Sequence, residues 1–125
     1  MVQSAPHMVL VVEDELLLRI NAVDMLEDEG FAVLEASSAD EALTLLAECC
    51  DDVAVLFTDI NMPGALDGLA LARIVHERWP HIWPLVTSGG TTLRDDQVPD
   101  HGKFLHKPYR ATQLTSAVRD VLSRH

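Results

Sequence analysis

Five short stretches of this chain are apolar at consecutive positions, and they narrow its possible folds more than any other feature. They are residues 8–12 (MVLVV), 31–35 (FAVLE), 53–57 (VAVLF), 82–87 (IWPLVT) and 104–106 (FLH). A strand with one wet face alternates apolar and polar side chains. A strand that is apolar on successive residues is covered on both faces, as in a parallel sheet layered by helices. Helical patterns lie between the runs. Residues 16–29 place Leu17, Ile20, Val23 or Asp24, and Met25–Leu26 near helical spacing, and Gly30 ends the pattern. Ser38 with Glu41 is a capping box that opens a helix through Leu45, Leu46 and Ala47. Residues 66–79 carry Leu69, Ala72, Ile74 and Val75 and stop at Pro80, and residues 110–123 carry Leu114, Val118 and Val121–Leu122. The order is strand then helix, five times, with one doubtful helix. Right-handed crossovers make this an α/β doubly wound parallel sheet in a single domain, with a core over about residues 8–123.

The doubtful helix follows the fourth strand. Among residues 91–102 only Leu93 and Val98 are large and apolar, and a spacing of five does not share a helix face. Pro99 disfavours helical geometry at Val98. A short or absent helix is expected there.

Composition removes several classes of function. The 125 residues are 48% hydrophobic, too apolar for a disordered chain. Nine basic against twenty acidic side chains leave a net charge of −11, a surface that repels nucleic acid and anionic membranes. No run is long enough to span a bilayer, and Met1–His7 lacks the features of a signal peptide, so a cytoplasmic location is expected. Cys49 and Cys50 are adjacent, cannot staple distant parts of a fold, and read as ordinary reduced thiols at a helix end.

The polar residues that matter stand at the carboxyl ends of the strands, where doubly wound sheets bind their ligands. Glu13 and Asp14 follow the first strand, Asp59 the third, Thr87 and Ser88 end the fourth, and Lys107 follows the fifth. In the common sheet order the first, third, fourth and fifth strands lie side by side, and these groups converge. Clustered carboxylates repel one another, and a hard divalent cation with oxygen ligands relieves the repulsion. A carboxylate is also a nucleophile able to form an aspartyl phosphate. Lys107 would supply a positive charge, and Ser88 or Thr87 a hydroxyl, for phosphoryl oxygens.

The segments VVEDE (11–15), TDINMPG (58–64), DGLAL (67–71), TSGG (87–90) and FLHKPY (104–109) together resemble the response-regulator receiver domain (CheY-like) family of two-component systems, over residues 8–123. The resemblance implies a flavodoxin-like five-stranded sheet of order 2-1-3-4-5. It implies Asp59 as phosphoacceptor and Mg2+ as cofactor, with Asp14 a direct ligand, Glu13 acting through water and the backbone carbonyl of Asn61 a further ligand. Ser88, followed by Gly89, matches the family's hydroxyl position better than Thr87. Lys107 matches its lysine, with a cis bond to Pro108, and Phe104 its aromatic switch position. The implied partner is a histidine kinase or histidine phosphotransfer protein, and the chain would be a signalling phosphoacceptor rather than an enzyme acting on other substrates.

Three features depart from the family pattern: one extra residue in PGALDG, Pro84 inside the fourth strand, and the weak helix signal after Gly90. Met1 and the short leader point to a free-standing regulator; the receiver of a hybrid histidine kinase is the alternative. An aspartyl-nucleophile phosphatase with a D-x-D pattern is disfavoured, because Asn61 stands at the second position.

Overall fold

The computed structural model describes residues 8–62, 64, 66–90, 93–98 and 102–123, with Cys50 and Asp95 described in backbone only. The leader Met1–His7, Pro63 and Ala65 of the lengthened loop, and Thr91 and Pro99 of the crossover lie outside the described residues.

Five strands form one parallel sheet: β1 (Met8–Val12), β2 (Ala32–Ala36), β3 (Val53–Asp59), β4 (Trp83–Ser88) and β5 (Lys103–His106), in the order β2-β1-β3-β4-β5. The helices are α1 (Leu16–Asp28), α2 (Ala39–Cys49), α3 (Gly68–Arg78) and α4 (Ala111–Ser123). Successive strand residues divide between two buried layers, as the unbroken apolar runs demand. Leu10, Val12, Leu56 and Val86 pack with α2 and α3 through Leu46, Leu71 and Val75. Val9, Val11, Val55, Phe57 and Leu85 pack with α1 and α4 through Leu26, Leu114 and Val118. This is the doubly wound, flavodoxin-like fold.

The local signals act largely as read. Glu41 N–H donates to Ser38 Oγ (3.1 Å), and the Glu41 carboxylate accepts in return from the Ser37 N–H (2.9 Å). Asp67 caps α3 by accepting from the Ala70 N–H (2.8 Å). Gly30 takes φ 91°, a conformation open to glycine at little steric cost, and so lets the chain leave α1. Pro84 is the second residue of β4, and pairing with β5 begins only at Leu85, so its missing N–H falls before the ladder on that side. Between β4 and β5 the described residues hold one 3-10 turn, Asp95–Gln97, and no α-helix.

The apolar face of α1 differs from the expected one. Ala22 and Leu26 are buried, whereas Leu16 (57%), Leu17 (74%) and Ile20 (42%) are exposed. Leu18, Ala22 and Leu26, spaced by four, form the inward line. Three consecutive leucines span most of a helical turn, so their presence does not choose a face.

Candidate functional site

The site is built from the carboxyl ends of β1, β3, β4 and β5. Glu13 is pinned through its backbone: its N–H donates to Ala36 O (3.1 Å), and Arg19 Nη1 donates to its carbonyl (2.9 Å). Its side chain is buried, with Oε1 accepting from Lys107 Nζ (2.9 Å) and Oε2 making no hydrogen bond among the described residues. Asp59 ends β3, is also buried, and spends both oxygens: Oδ2 accepts from Lys107 Nζ (2.6 Å) and Oδ1 from the Asn61 N–H (3.0 Å). Asp14 is exposed, yet one oxygen from each of Glu13, Asp14 and Asp59 lies within 4.8 Å of the others. Lys107 is tethered to β4 by its N–H, which donates to Ser88 O (3.0 Å), and its bond to Pro108 is cis.

Two of the three clustered carboxylates, Glu13 and Asp59, therefore share one ammonium. Burial raises the Glu13 carboxyl above its ordinary value; the hydrogen bond from Lys107 opposes this, and the charge of Asp59 adds to it. Burial works against the Lys107 charge, but its hydrogen bonds to Asp59 and Glu13 outweigh burial and hold its value up.

Glu13 carries the first testable consequence. Its folded value lies above 4.5, so the ionised form costs stability, absent below that pH and growing as pH rises through the folded value. In metal-free buffer, Glu13→Gln is expected to gain stability relative to the wild type as pH rises from 4.5 to 8. Urea unfolding across that range checks it, and a gap that stays constant or narrows with rising pH contradicts it.

Thr87 pairs in register with Asp59, is buried, and its hydroxyl makes no hydrogen bond among the described residues. Ser88 is buried with its hydroxyl bonded to the Asn61 side chain and to the Gly90 N–H. Phe104 is half-buried against the α2–α3 layer, its ring edge-on to His106 at 6.1 Å. The structure thus brings Glu13, Asp14, Asp59 and Lys107 together and sets Phe104 apart in the packing of β5. Three contacts were not read from the sequence. The Asn61 amide reaches Ser88. Gly68 lies directly against the Asp59 backbone. Tyr109 packs edge-on to Phe57 at 5.7 Å, with burial pushing its hydroxyl up to about 12. Each arises from a contact between separate elements.

The structure is thus a doubly wound parallel α/β sheet with an acidic cluster at its carboxyl edge that could hold a metal ion. Residues 9–119 match the family described as the response regulator receiver domain. The chain belongs to that family. It is 34% identical over 124 residues to the sensor kinase CckA of Brucella abortus, covering 97% of this chain and 13% of CckA. It is 33% identical to the aerobic respiration control protein ArcA of Escherichia coli K12, covering 97% of this chain and 50% of ArcA. Among solved structures it resembles a response regulator receiver domain protein from Clostridium thermocellum. The TM-score is 0.85 and the identity 30%, over 94% of this chain and 95% of that one. The chain spans half or less of the two curated relatives. No helix among the described residues is long and apolar enough to cross a membrane.

Proposed function

We propose that this chain is a phosphoacceptor of a two-component phosphorelay, taking a phosphoryl group onto Asp59 from a histidine-phosphorylated protein and signalling by the conformational change that follows. The observation that carries this reading is the Lys107 ammonium bonded to Asp59 within a cluster of three carboxylates. In the transfer an Asp59 oxygen bonds to phosphorus, the phosphorus–nitrogen bond breaks, and the imidazole leaves with its electron pair. Lys107, now on Asp59 Oδ2, is within reach of the phosphoryl oxygens that would be carried there. The chain would catalyse only its own phosphorylation and dephosphorylation.

The cluster suits Mg2+. Its donors are all oxygen, and Glu13 Oε2 is a buried acceptor without a hydrogen bond among the described residues. Asp14 and Asp59 would hold the ion directly, Glu13 through water, and Asn61 through its carbonyl. Bound there, the ion supplies positive charge beside the phosphoryl oxygens.

The donor is a histidine kinase or histidine phosphotransfer protein. Leu16, Leu17 and Ile20, exposed on the first turns of α1 directly after Glu13, Asp14 and Glu15, offer an apolar contact beside the site.

Incubation with acetyl phosphate and Mg2+ is expected to add one acid-labile, hydroxylamine-sensitive phosphoryl group by intact mass, and EDTA to prevent it. Mg2+ at a hundred times its Kd should stabilise the fold by about 2.7 kcal/mol, and Asp14→Asn should lose most of that gain. A wild type that stays unlabelled, or an Asp14→Asn variant that gains as much from Mg2+, overturns the corresponding assignment.

A further inference from the structure

Arg19 fastens the loop that carries two of the three clustered carboxylates. Its Nη1 donates to the carbonyl of Glu13 (2.9 Å), six residues back, and its Nε to Glu35 Oε1 on β2 (3.0 Å). The side chain is only 15% exposed, so the guanidinium is packed in place rather than loose on the surface. Its backbone is set by the first turn of α1, where the Arg19 N–H donates to Glu15 O (2.9 Å). Ala36, next to Glu35 on β2, accepts from the Glu13 N–H (3.1 Å). Glu13 is therefore tied to the end of β2 twice, once through its own N–H and once through Arg19. Glu15, at the N-cap of α1, makes no side-chain capping bond, so the chain enters this helix without that local restraint.

The Glu13 carbonyl and the Asp14 N–H belong to one planar peptide unit. Holding that carbonyl fixes the plane between the two acidic residues, and with it the direction in which each side chain leaves the backbone. One oxygen from each of Glu13, Asp14 and Asp59 lies within 4.8 Å of the others, and like charges so close favour any rotation that separates them. The structure assigns Arg19 a positioning role: by gripping the Glu13 carbonyl against β2, it keeps Glu13 and Asp14 gathered for a divalent cation. This rests on the reading of the cluster as a metal site. Arg19 itself touches neither the cation nor a reacting atom. The sign of its effect separates positioning from charge. Arg19 is a cation, so by charge alone its removal would strengthen Mg2+ binding nearby. Loss of orientation weakens binding instead.

Calorimetric titration with Mg2+ of the wild type, Arg19→Gln, Arg19→Lys and Arg119→Gln tests this. Arg19→Gln is expected to weaken binding about tenfold, a typical loss when a group that orients metal ligands is removed. Arg19→Lys keeps the charge but replaces the planar fork with a single ammonium, so it should recover only part of that loss. Arg119→Gln removes the same charge from an exposed pair with Glu29, and should bind within about twofold of the wild type. Amide hydrogen exchange in metal-free buffer gives a second readout. The amides of Glu13 and Arg19, both hydrogen-bonded in the wild type, should exchange about threefold faster in Glu35→Ala, which leaves Arg19 in place and removes its anchor on β2. That variant changes a half-exposed side chain, so it carries the test should Arg19→Gln fail to fold. An Arg19→Gln protein that binds Mg2+ as tightly as the wild type or more tightly, or wild-type exchange at both amides in Glu35→Ala, overturns the assignment while a wild type that binds Mg2+ leaves the metal reading standing. A wild type that binds no Mg2+ removes both.

Discussion

Asp59→Asn is expected to abolish hydroxylamine-sensitive phosphoryl uptake while leaving the protein folded. The amide is nearly isosteric with the carboxylate, but its nitrogen pair is delocalised and it carries no charge to attack phosphorus. The substitution also removes one of the two carboxylates bonded to Lys107, and the Asp59 charge is one of the causes that raise the Glu13 carboxyl. Glu13 should therefore titrate lower in the variant, and the loss of repulsion offsets the loss of the Lys107–Asp59 ion pair. Lys107→Ala keeps the nucleophile and removes the cation, so it should slow uptake by about a hundredfold to a thousandfold, the usual worth of an aimed charge in a desolvated site. Intact-mass spectrometry after acetyl phosphate and Mg2+ measures both. Equal labelling of Asp59→Asn and wild type would falsify the acceptor assignment.

Gly68→Ala should be among the most damaging single-methyl additions in the molecule. A Cβ built on Gly68 would stand 1.9 Å from the Asp59 carbonyl oxygen, 2.7 Å from its carbon and 2.9 Å from Thr58 Oγ1. Two of these are backbone atoms, which cannot rotate aside. Gly68 is also the first residue of α3, and its N–H donates to Ile60 O (2.9 Å), so helix and strand end are locked at this approach. Relief requires α3 to lift or the end of β3 to bend. The expected cost is about 3 kcal/mol, a fall in Tm of roughly 10 °C. The bend would displace the residue that carries Asp59, so phosphoryl uptake should fall as well. Gly90→Ala is the control, because its added Cβ meets nothing within 4 Å. Urea midpoints of the two variants decide it: a Gly68→Ala protein as stable as Gly90→Ala would show that the close approach carries no constraint.

Much of this protein was legible in its sequence because the signals were local. Consecutive apolar residues in 8–12 and 53–57 already require cover on both faces, and Leu10 and Val12 duly pack in one layer, Val9 and Val11 in the other. The capping box at Ser38 and Glu41 works through neighbouring atoms. The missing apolar stripe after Gly90 left only a short helix or none to expect before any packing was known, and among the described residues a single 3-10 turn stands there. The residues of the site were visible as polar groups following apolar runs.

What only the tertiary structure decided was which of those groups meet, and through which atoms. Glu13 and Lys107 are 94 residues apart, Asp59 and Lys107 48 apart. Their shared contacts exist because β1 and β3 are neighbours and β4 carries β5 alongside. The face that α1 buries was undetermined by Leu16, Leu17 and Leu18, since any turn of that helix would bury one of them; packing of Ala22 and Leu26 against the sheet made the choice. The Asn61 amide on Ser88 and the bare Gly68 against Asp59 left no local trace, because neither alters the conformational preference of its own segment. Periodicity and capping are set by residues a few positions apart. The fit of side chains between strand ends is set by how separate elements pack, and that geometry exists only once the sheet has closed on its helices.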